Sequence, residues 1–120
     1  MRSLRILVVE DDTIVGLLLA ELLEEMGHDV CAIEGTQTDA VAAAARCVPD
    51  LMIVDIGLSE GNGVSAVETI RRSEPIPYLY MSGDLSKIRA LKPDAVALHK
   101  PFHEPDLAGA IQCALTSTAS

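Results

Sequence analysis

The chain of 120 residues carries 18 Asp and Glu against 9 Lys and Arg, giving a net charge of −9, and 49% of it is hydrophobic. That length suits one domain able to bury roughly two-thirds of its unfolded surface without a disulfide or a structural metal. The negative charge and the scattered basic residues exclude a surface built for the nucleic-acid backbone, and three aromatic residues, Tyr78, Tyr80 and Phe102, are too few for base stacking.

No apolar run reaches the roughly eighteen residues of a membrane span, and no basic segment precedes a short apolar one as in a secretory signal. A cytoplasmic location without membrane insertion is expected. Cys31, Cys47 and Cys113 are odd in number, far apart and set in apolar patterns, which predicts reduced, buried thiols instead of a disulfide framework or a zinc site.

In chain order, the apolar run "RILVV" (5–9) reads as a strand and "TIVGLLLAELLEEM" (13–26) as a helix stopped by Gly27. "DVCAI" (29–33) is the second strand, and "TDAVAAAARCV" (38–48) is a helix closed by Pro49. "LMIVD" (51–55) is followed by a helical pattern over 61–73, then by "PYLYM" (77–81) and the short helical segment "LSKIRALK" (85–92). "AVALHK" (95–100) and "EPDLAGAIQCAL" (104–115) complete a strand–helix alternation repeated five times. Such alternation predicts an α/β doubly wound domain, a parallel sheet with helices on both faces. The strand runs are apolar throughout, as strands covered on both faces require. The ordered core is placed at about 4–116 of a single domain spanning 1–120, with 117–120 a polar tail.

In open α/β sheets ligands sit beyond the carboxyl ends of the strands. Those ends carry Glu10, Asp11 and Asp12 after the first strand, Asp55 at the third, Ser82 at the fourth and Lys100 at the fifth. Two carboxylates ~4 Å apart repel by about 4 kcal/mol at an effective dielectric of 20, so the cluster must hold protons or a cation. With oxygen donors alone, and no nearby His or Cys, Mg²⁺ is the expected ion. Asp12, directly before a helix, reads as its N-cap. A lysine at a strand end before proline, in "HKPF", is placed to meet a phosphoryl oxygen as a point charge.

Together, "ILVVED" (6–11), "MIVDIGL" (52–58), "GNG" (61–63), "MSG" (81–83) and "KPF" (100–102) resemble the motifs of a response-regulator receiver domain, similar to CheY-type modules, over essentially the whole chain. The resemblance implies a (βα)5 flavodoxin-like fold with strand order 2-1-3-4-5, which sets the first and third strands side by side. It makes Asp55 the phosphoacceptor, Glu10 and Asp11 the acidic pair, Ser82 the hydroxyl and Lys100 the phosphate-binding ammonium. Asp11 and Asp55 would hold Mg²⁺ with the backbone carbonyl of Gly57, and Glu10 largely through water. Gly83 would leave the site open to a donor, and Asp84 lies where the family tunes dephosphorylation, or else caps the helix that follows. Pro101 is the candidate for a cis peptide bond. The implied function is a signalling domain, not an enzyme. It accepts phosphate from a histidine kinase or a histidine phosphotransfer protein, then changes its contacts with a downstream protein partner.

Two features depart from the receiver pattern. The position three before the lysine, usually aromatic, is Ala97, and the interval from Ser82 to Lys100 leaves room for only about two turns of helix. Both resemble a subgroup of single-domain receivers with a shortened fourth helix, found with an unusual class of histidine kinases in alphaproteobacteria. A phosphatase that forms an aspartyl-phosphate is the competing class, but it needs a second acid two residues after its nucleophile, where this chain has Gly57. A pseudo-receiver acting without phosphorylation is disfavoured because every acid and the lysine are present. His28 and His103 read as solvated turn residues, and strand alternation turns His99 away from the site if Lys100 points in.

Overall fold

The computed structural model describes residues 2–117. Five strands, β1 (Arg5–Val9), β2 (Asp29–Glu34), β3 (Leu51–Asp55), β4 (Tyr78–Ser82) and β5 (Ala97–His99), form one parallel sheet in the order β2-β1-β3-β4-β5. Helices α1 (Thr13–Glu25), α2 (Gln37–Cys47), α3 (Gly63–Arg71), α4 (Leu85–Leu91) and α5 (Glu104–Ser117) follow them in turn. The expected flavodoxin-like α/β fold is therefore the observed one. Ser117 ends α5, and the rest of the expected polar tail lies outside the described residues. No helix among the described residues is long and apolar enough to cross a membrane.

The pleat divides the core in two. Leu7, Val9, Met52, Val54 and Tyr80 face α2, α3 and α4, while Ile6, Val8, Leu51, Ile53, Leu79 and Met81 face α1 and α5. Side chains alternate along a strand, so continuous apolar runs are what a sheet covered on both faces demands. The edge strands differ: β2 is only half-buried, and β5 buries Leu98 alone.

Side chains next to the strand ends start the helices. Asp12 Oδ1 accepts from the N–H groups of Ile14 (3.0 Å) and Val15 (3.2 Å), Thr36 Oγ1 from Asp39 (3.1 Å), and Asn62 Oδ1 from Ser65 (2.7 Å). Gly16 lets α1 close on β2, since a Cβ there would lie 2.9 Å from Ile33 Cγ2. A Cβ on Gly63 would overlap the Asp55 carbonyl, so α3 begins directly against the end of β3.

Three expectations need correction. β5 covers 97–99, not 95–100: at its start the Ala95 N–H turns back to the Lys92 carbonyl (3.1 Å), and of residues 95 and 96 only the Val96 carbonyl bonds to β4, at the Tyr80 N–H (3.0 Å). Cys31 and Cys47 are half-buried and Cys113 is exposed, all three as free thiols. The edge position of β2, the end of α2 and the outward face of α5 leave Cys31, Cys47 and Cys113 near the surface despite their apolar neighbours. His28 is buried at 5% exposure, as its Nδ1 accepts the Leu4 N–H at 3.2 Å and draws the ring under the sheet.

α2 ends on Val48 at φ 45°, a left-handed conformation that a β-branched residue adopts only under strain. Val48 is 53% exposed, so replacing it loses little buried surface. Val48→Gly is expected to raise stability by about 1 kcal/mol, relief of strain outweighing the added freedom of the unfolded chain. Urea unfolding checks this as a higher midpoint at unchanged slope.

Candidate functional site

The register aligns the carboxyl ends of four strands. Val9 pairs with Val54, Asp55 with Met81 and Ser82 with His99, so the residues at or just past these positions share one edge. The ladder runs on past the strands: the Glu10 N–H donates to the Glu34 carbonyl at 2.8 Å, and the Lys100 N–H to the Ser82 carbonyl at 2.8 Å. Glu10, Asp55 and Ser82 are buried and Asp11 is exposed at the mouth. The Lys100–Pro101 peptide is cis, as expected for Pro101.

Lys100 ties the site together. Its Nζ donates to Glu10 Oε1 at 2.8 Å and to Asp55 Oδ2 at 2.6 Å, crossing from β5 to the ends of β1 and β3. One oxygen of each carboxylate meets a backbone donor. Asp55 Oδ1 accepts the Gly57 N–H (2.9 Å), Glu10 Oε2 the Asp12 N–H (3.2 Å), and Asp11 Oδ2 the Ser59 N–H (2.9 Å). Glu10, Asp11 and Asp55 each offer one oxygen within 4.8 Å of the others, an oxygen-only set that fits a hard divalent cation. Asp12 stands outside this cluster as the cap of α1, as its position in the sequence indicates.

Burial pushes the Glu10 carboxyl up from 4.5 to about 7; hydrogen bonds from Lys100 and the Asp12 N–H oppose the rise, and Asp55 adds to it. Burial works against the Lys100 ammonium, but its bonds to Asp55 and Glu10 outweigh that and raise its pKa. Slight burial would raise the Asp11 carboxyl, yet its bonds with Glu10 and Ser59 hold it below the usual range.

Ser82 Oγ accepts the Asp84 N–H at 3.0 Å, and Asp84 in turn caps α4 by accepting the Ser86 N–H at 3.0 Å. Of the two expectations for Asp84, the geometry gives the cap directly. A Cβ on Gly83 would meet nothing within 4 Å, so the chain itself leaves that side open. His99 Nε2 lies 3.0 Å from the Gly83 carbonyl oxygen, away from the carboxylates as strand alternation requires.

Sequence reasoning missed the rim. Residues 57–62 are tied to the start of α2 by the Gln37 N–H donating to the Glu60 carbonyl (3.3 Å) and Gln37 Oε1 accepting the Asn62 N–H (3.2 Å). Ser59, which binds Asp11 through its backbone, and Gln37, at the start of a helix, carry no signal in their residue types.

Fold and site together define a receiver module. The chain belongs to the response regulator receiver domain family, whose profile matches residues 6–112. It is 35% identical over 117 residues to the transcriptional regulatory protein PdtaR of Mycobacterium tuberculosis, a match covering 93% of this chain and 57% of that protein. Identity to the phyllosphere-induced regulator PhyR of Methylorubrum extorquens is 29% over 114 residues, covering 92% of this chain and 43% of that one. The chain thus spans about half the length of these relatives. The solution structure of the PhyR receiver domain of Erythrobacter litoralis superposes with a TM-score of 0.84 at 29% identity, covering 98% of this chain and 94% of that one.

Between pH 4.5 and 7 the folded, metal-free protein keeps a proton on Glu10 that the unfolded chain has released, so this group lowers stability as pH rises through that window. Urea unfolding in chelator is expected to show this loss, and Glu10→Gln to flatten it. An identical pH profile for the variant would refute the raised Glu10 value.

Proposed function

We propose that the chain is the phosphoacceptor module of a two-component phosphorelay, taking a phosphoryl group on Asp55 from a histidine kinase or histidine phosphotransfer protein. The observation that carries this reading is the Lys100 bridge to Asp55 and Glu10 over a three-carboxylate cluster. Asp55 stands at the end of a buried strand with Oδ1 held by the Gly57 N–H, which fixes the carboxylate for in-line attack on phosphorus. As its Oδ–P bond forms, the bond to the donor's imidazole nitrogen breaks, and the ring leaves with that electron pair. Lys100 supplies positive charge to the equatorial oxygens and Ser82 a hydroxyl donor. Asp11, Asp55 and the Gly57 carbonyl are the proposed Mg²⁺ ligands, with Glu10 behind them. Bound there, Mg²⁺ would neutralise charge on the transferring group and on the carboxylates.

The surroundings suit a protein donor. Ile14 (70% exposed), Leu17 (57%) and Leu18 (62%) form an apolar face on α1 beside the crevice, and Leu18 and Leu22 line a depression with Phe102. A contiguous apolar patch of this kind marks a protein contact. A receiver module working in the cytoplasm without membrane or nucleic-acid contact completes the proposal. Gly83 would admit the donor, and Asp84 would set the lifetime of the phosphoryl group.

Asp55→Asn is expected to abolish the Mg²⁺-dependent gain of one phosphoryl group from acetyl phosphate, read by intact mass. Asp11→Asn should weaken Mg²⁺ binding far more than Asp12→Asn, since only Asp11 belongs to the cluster. Undiminished labelling of the first variant, or a reversed ranking of the other two, would overturn the assignments.

The route out of the site runs through Ser82. A hydroxyl drawn to a phosphoryl oxygen releases the Asp84 N–H it now accepts, and α4, only 7 residues long, starts there. Amide exchange across 84–92 is expected to quicken on beryllofluoride addition, first at Asp84. Protection that stays constant there while changing elsewhere would show that another element carries the signal.

A further inference from the structure

The loop between β3 and α3 carries part of the proposed metal site, and its fixtures are of two kinds. The Gly63 N–H donates to the Ile56 carbonyl at 3.3 Å, so residues 57–62 form an arc closed at its base. Two amides of the arc, Gly57 and Ser59, bond to Asp55 Oδ1 and Asp11 Oδ2, on the carboxylates a cation would share. Two other fixtures are independent of the acidic cluster: the buried side chain of Leu58 and, at the far side of the arc, Gln37.

Gln37 holds the arc twice. Its N–H donates to the Glu60 carbonyl at 3.3 Å and its Oε1 accepts the Asn62 N–H at 3.2 Å, while Thr36 and Glu60 pair as an isolated parallel bridge. Between these bonds Gly61 lies at φ 76°, and a Cβ there would overlap Gln37 Cβ and Oε1. Only a glycine lets the loop close on this side chain. Gln37 itself extends from a fixed base, since it opens α2 behind Thr36, whose Oγ1 accepts the Asp39 N–H at 3.1 Å, and Ala40 in the same turn is fully buried.

We propose that Gln37 is a positioning residue for the metal site. By holding the loop from α2, it keeps the backbone that carries the Gly57 carbonyl in place when a cation draws on Asp11 and Asp55. This inference rests on the Mg²⁺ reading given above, and Gln37 acts through the loop, not as a ligand. Mg²⁺ demands near-octahedral geometry at about 2.0–2.1 Å whereas Ca²⁺ accepts irregular coordination, so a slack loop should cost Mg²⁺ more affinity than Ca²⁺.

The test compares Gln37→Met, which keeps the length and loses the acceptor, with Gln37→Glu, which restores it. Mg²⁺ and Ca²⁺ titrations of the full chain at constant ionic strength, followed by NMR at the Gly57 and Ser59 amides, give both affinities. Amide exchange in chelator reads the loop without metal. In Gln37→Met the Asn62 amide should exchange faster, Mg²⁺ should bind about threefold more weakly, as loss of one exposed hydrogen bond implies, and Ca²⁺ should lose less. Gln37→Glu should restore Asn62 protection and the Mg²⁺-to-Ca²⁺ affinity ratio; its added charge acts on both divalent ions alike and cancels in that ratio. Unchanged Mg²⁺ affinity in Gln37→Met, equal losses for the two ions, or no recovery in Gln37→Glu would overturn the positioning role and leave the metal site standing. A wild-type chain without a saturable Mg²⁺ response, or with one that Asp11→Asn does not weaken, would refute the metal reading and this inference with it.

Discussion

Lys100 makes the acidic edge of this sheet possible. Two buried carboxylates from different strands each lie within hydrogen-bond distance of its ammonium, and without it their mutual repulsion would reach about 4 kcal/mol at ~4 Å and an effective dielectric of 20. The strand order is the geometric condition. With β1 beside β3, and with β4 and β5 completing that side, one lysine just past β5 can span to both acids. Its backbone is held by the Ser82 carbonyl, so the long side chain extends from a fixed base. Even so, the bridge does not fully compensate Glu10, whose carboxyl stays raised to about 7. Burial is the larger influence there, so the Glu10 carboxyl holds its proton further up the pH scale than a free carboxyl does.

The crevice combines a rigid wall with a suspended rim. Glu10, Asp55 and Lys100 continue strand ladders, whereas the rim at 57–62 hangs on one bond each to Asp55 and Asp11 and on two to Gln37. Two of those bonds occupy oxygens of the acidic cluster itself. A ligand that takes Asp11 Oδ2 or Asp55 Oδ1 therefore shares that oxygen with the Ser59 or Gly57 N–H and can act on the rim directly. Under the proposed phosphotransfer, chemistry on a fixed strand and adaptation in an adjoining loop would be separate jobs within one small volume.

Much of this was legible because strand periodicity and strand ends are local signals. Glu10, Asp11, Asp55, Ser82 and Lys100 each follow an apolar run, and the register brings them to one edge as the alternation implies. Asp12 could be set apart because capping depends on the next three residues alone. What failed depends on distant neighbours. His28 follows a helix-stopping glycine, which reads as surface, but the Leu4 N–H 24 positions away determines its burial. The cysteines sit in apolar surroundings yet lie on an edge strand and on helix flanks, where the sheet stops covering them. Ser59 and Gln37 act through backbone groups and a loop-to-helix bond, which residue type does not reveal.

Ala97 and the short α4 belong to one arrangement. An aromatic ring on β5 would give the site a bulky side chain to swing between two packings; with alanine there, β5 buries only Leu98 and offers no such element. The connection that remains is from Ser82 Oγ to the Asp84 N–H, which reaches the first residues of α4 without any core rearrangement. α4 is anchored by buried Ile88 and by the Lys92–Glu68 ion pair at 2.9 Å, the latter exposed and hence weak. A seven-residue helix with one buried anchor lies close to its folding threshold, so a single hydrogen bond at its cap is a large fraction of what holds it. Under the proposed phosphotransfer, the chain needs no ring switch: the hydroxyl that turns toward the new phosphoryl group is the one that holds the start of α4.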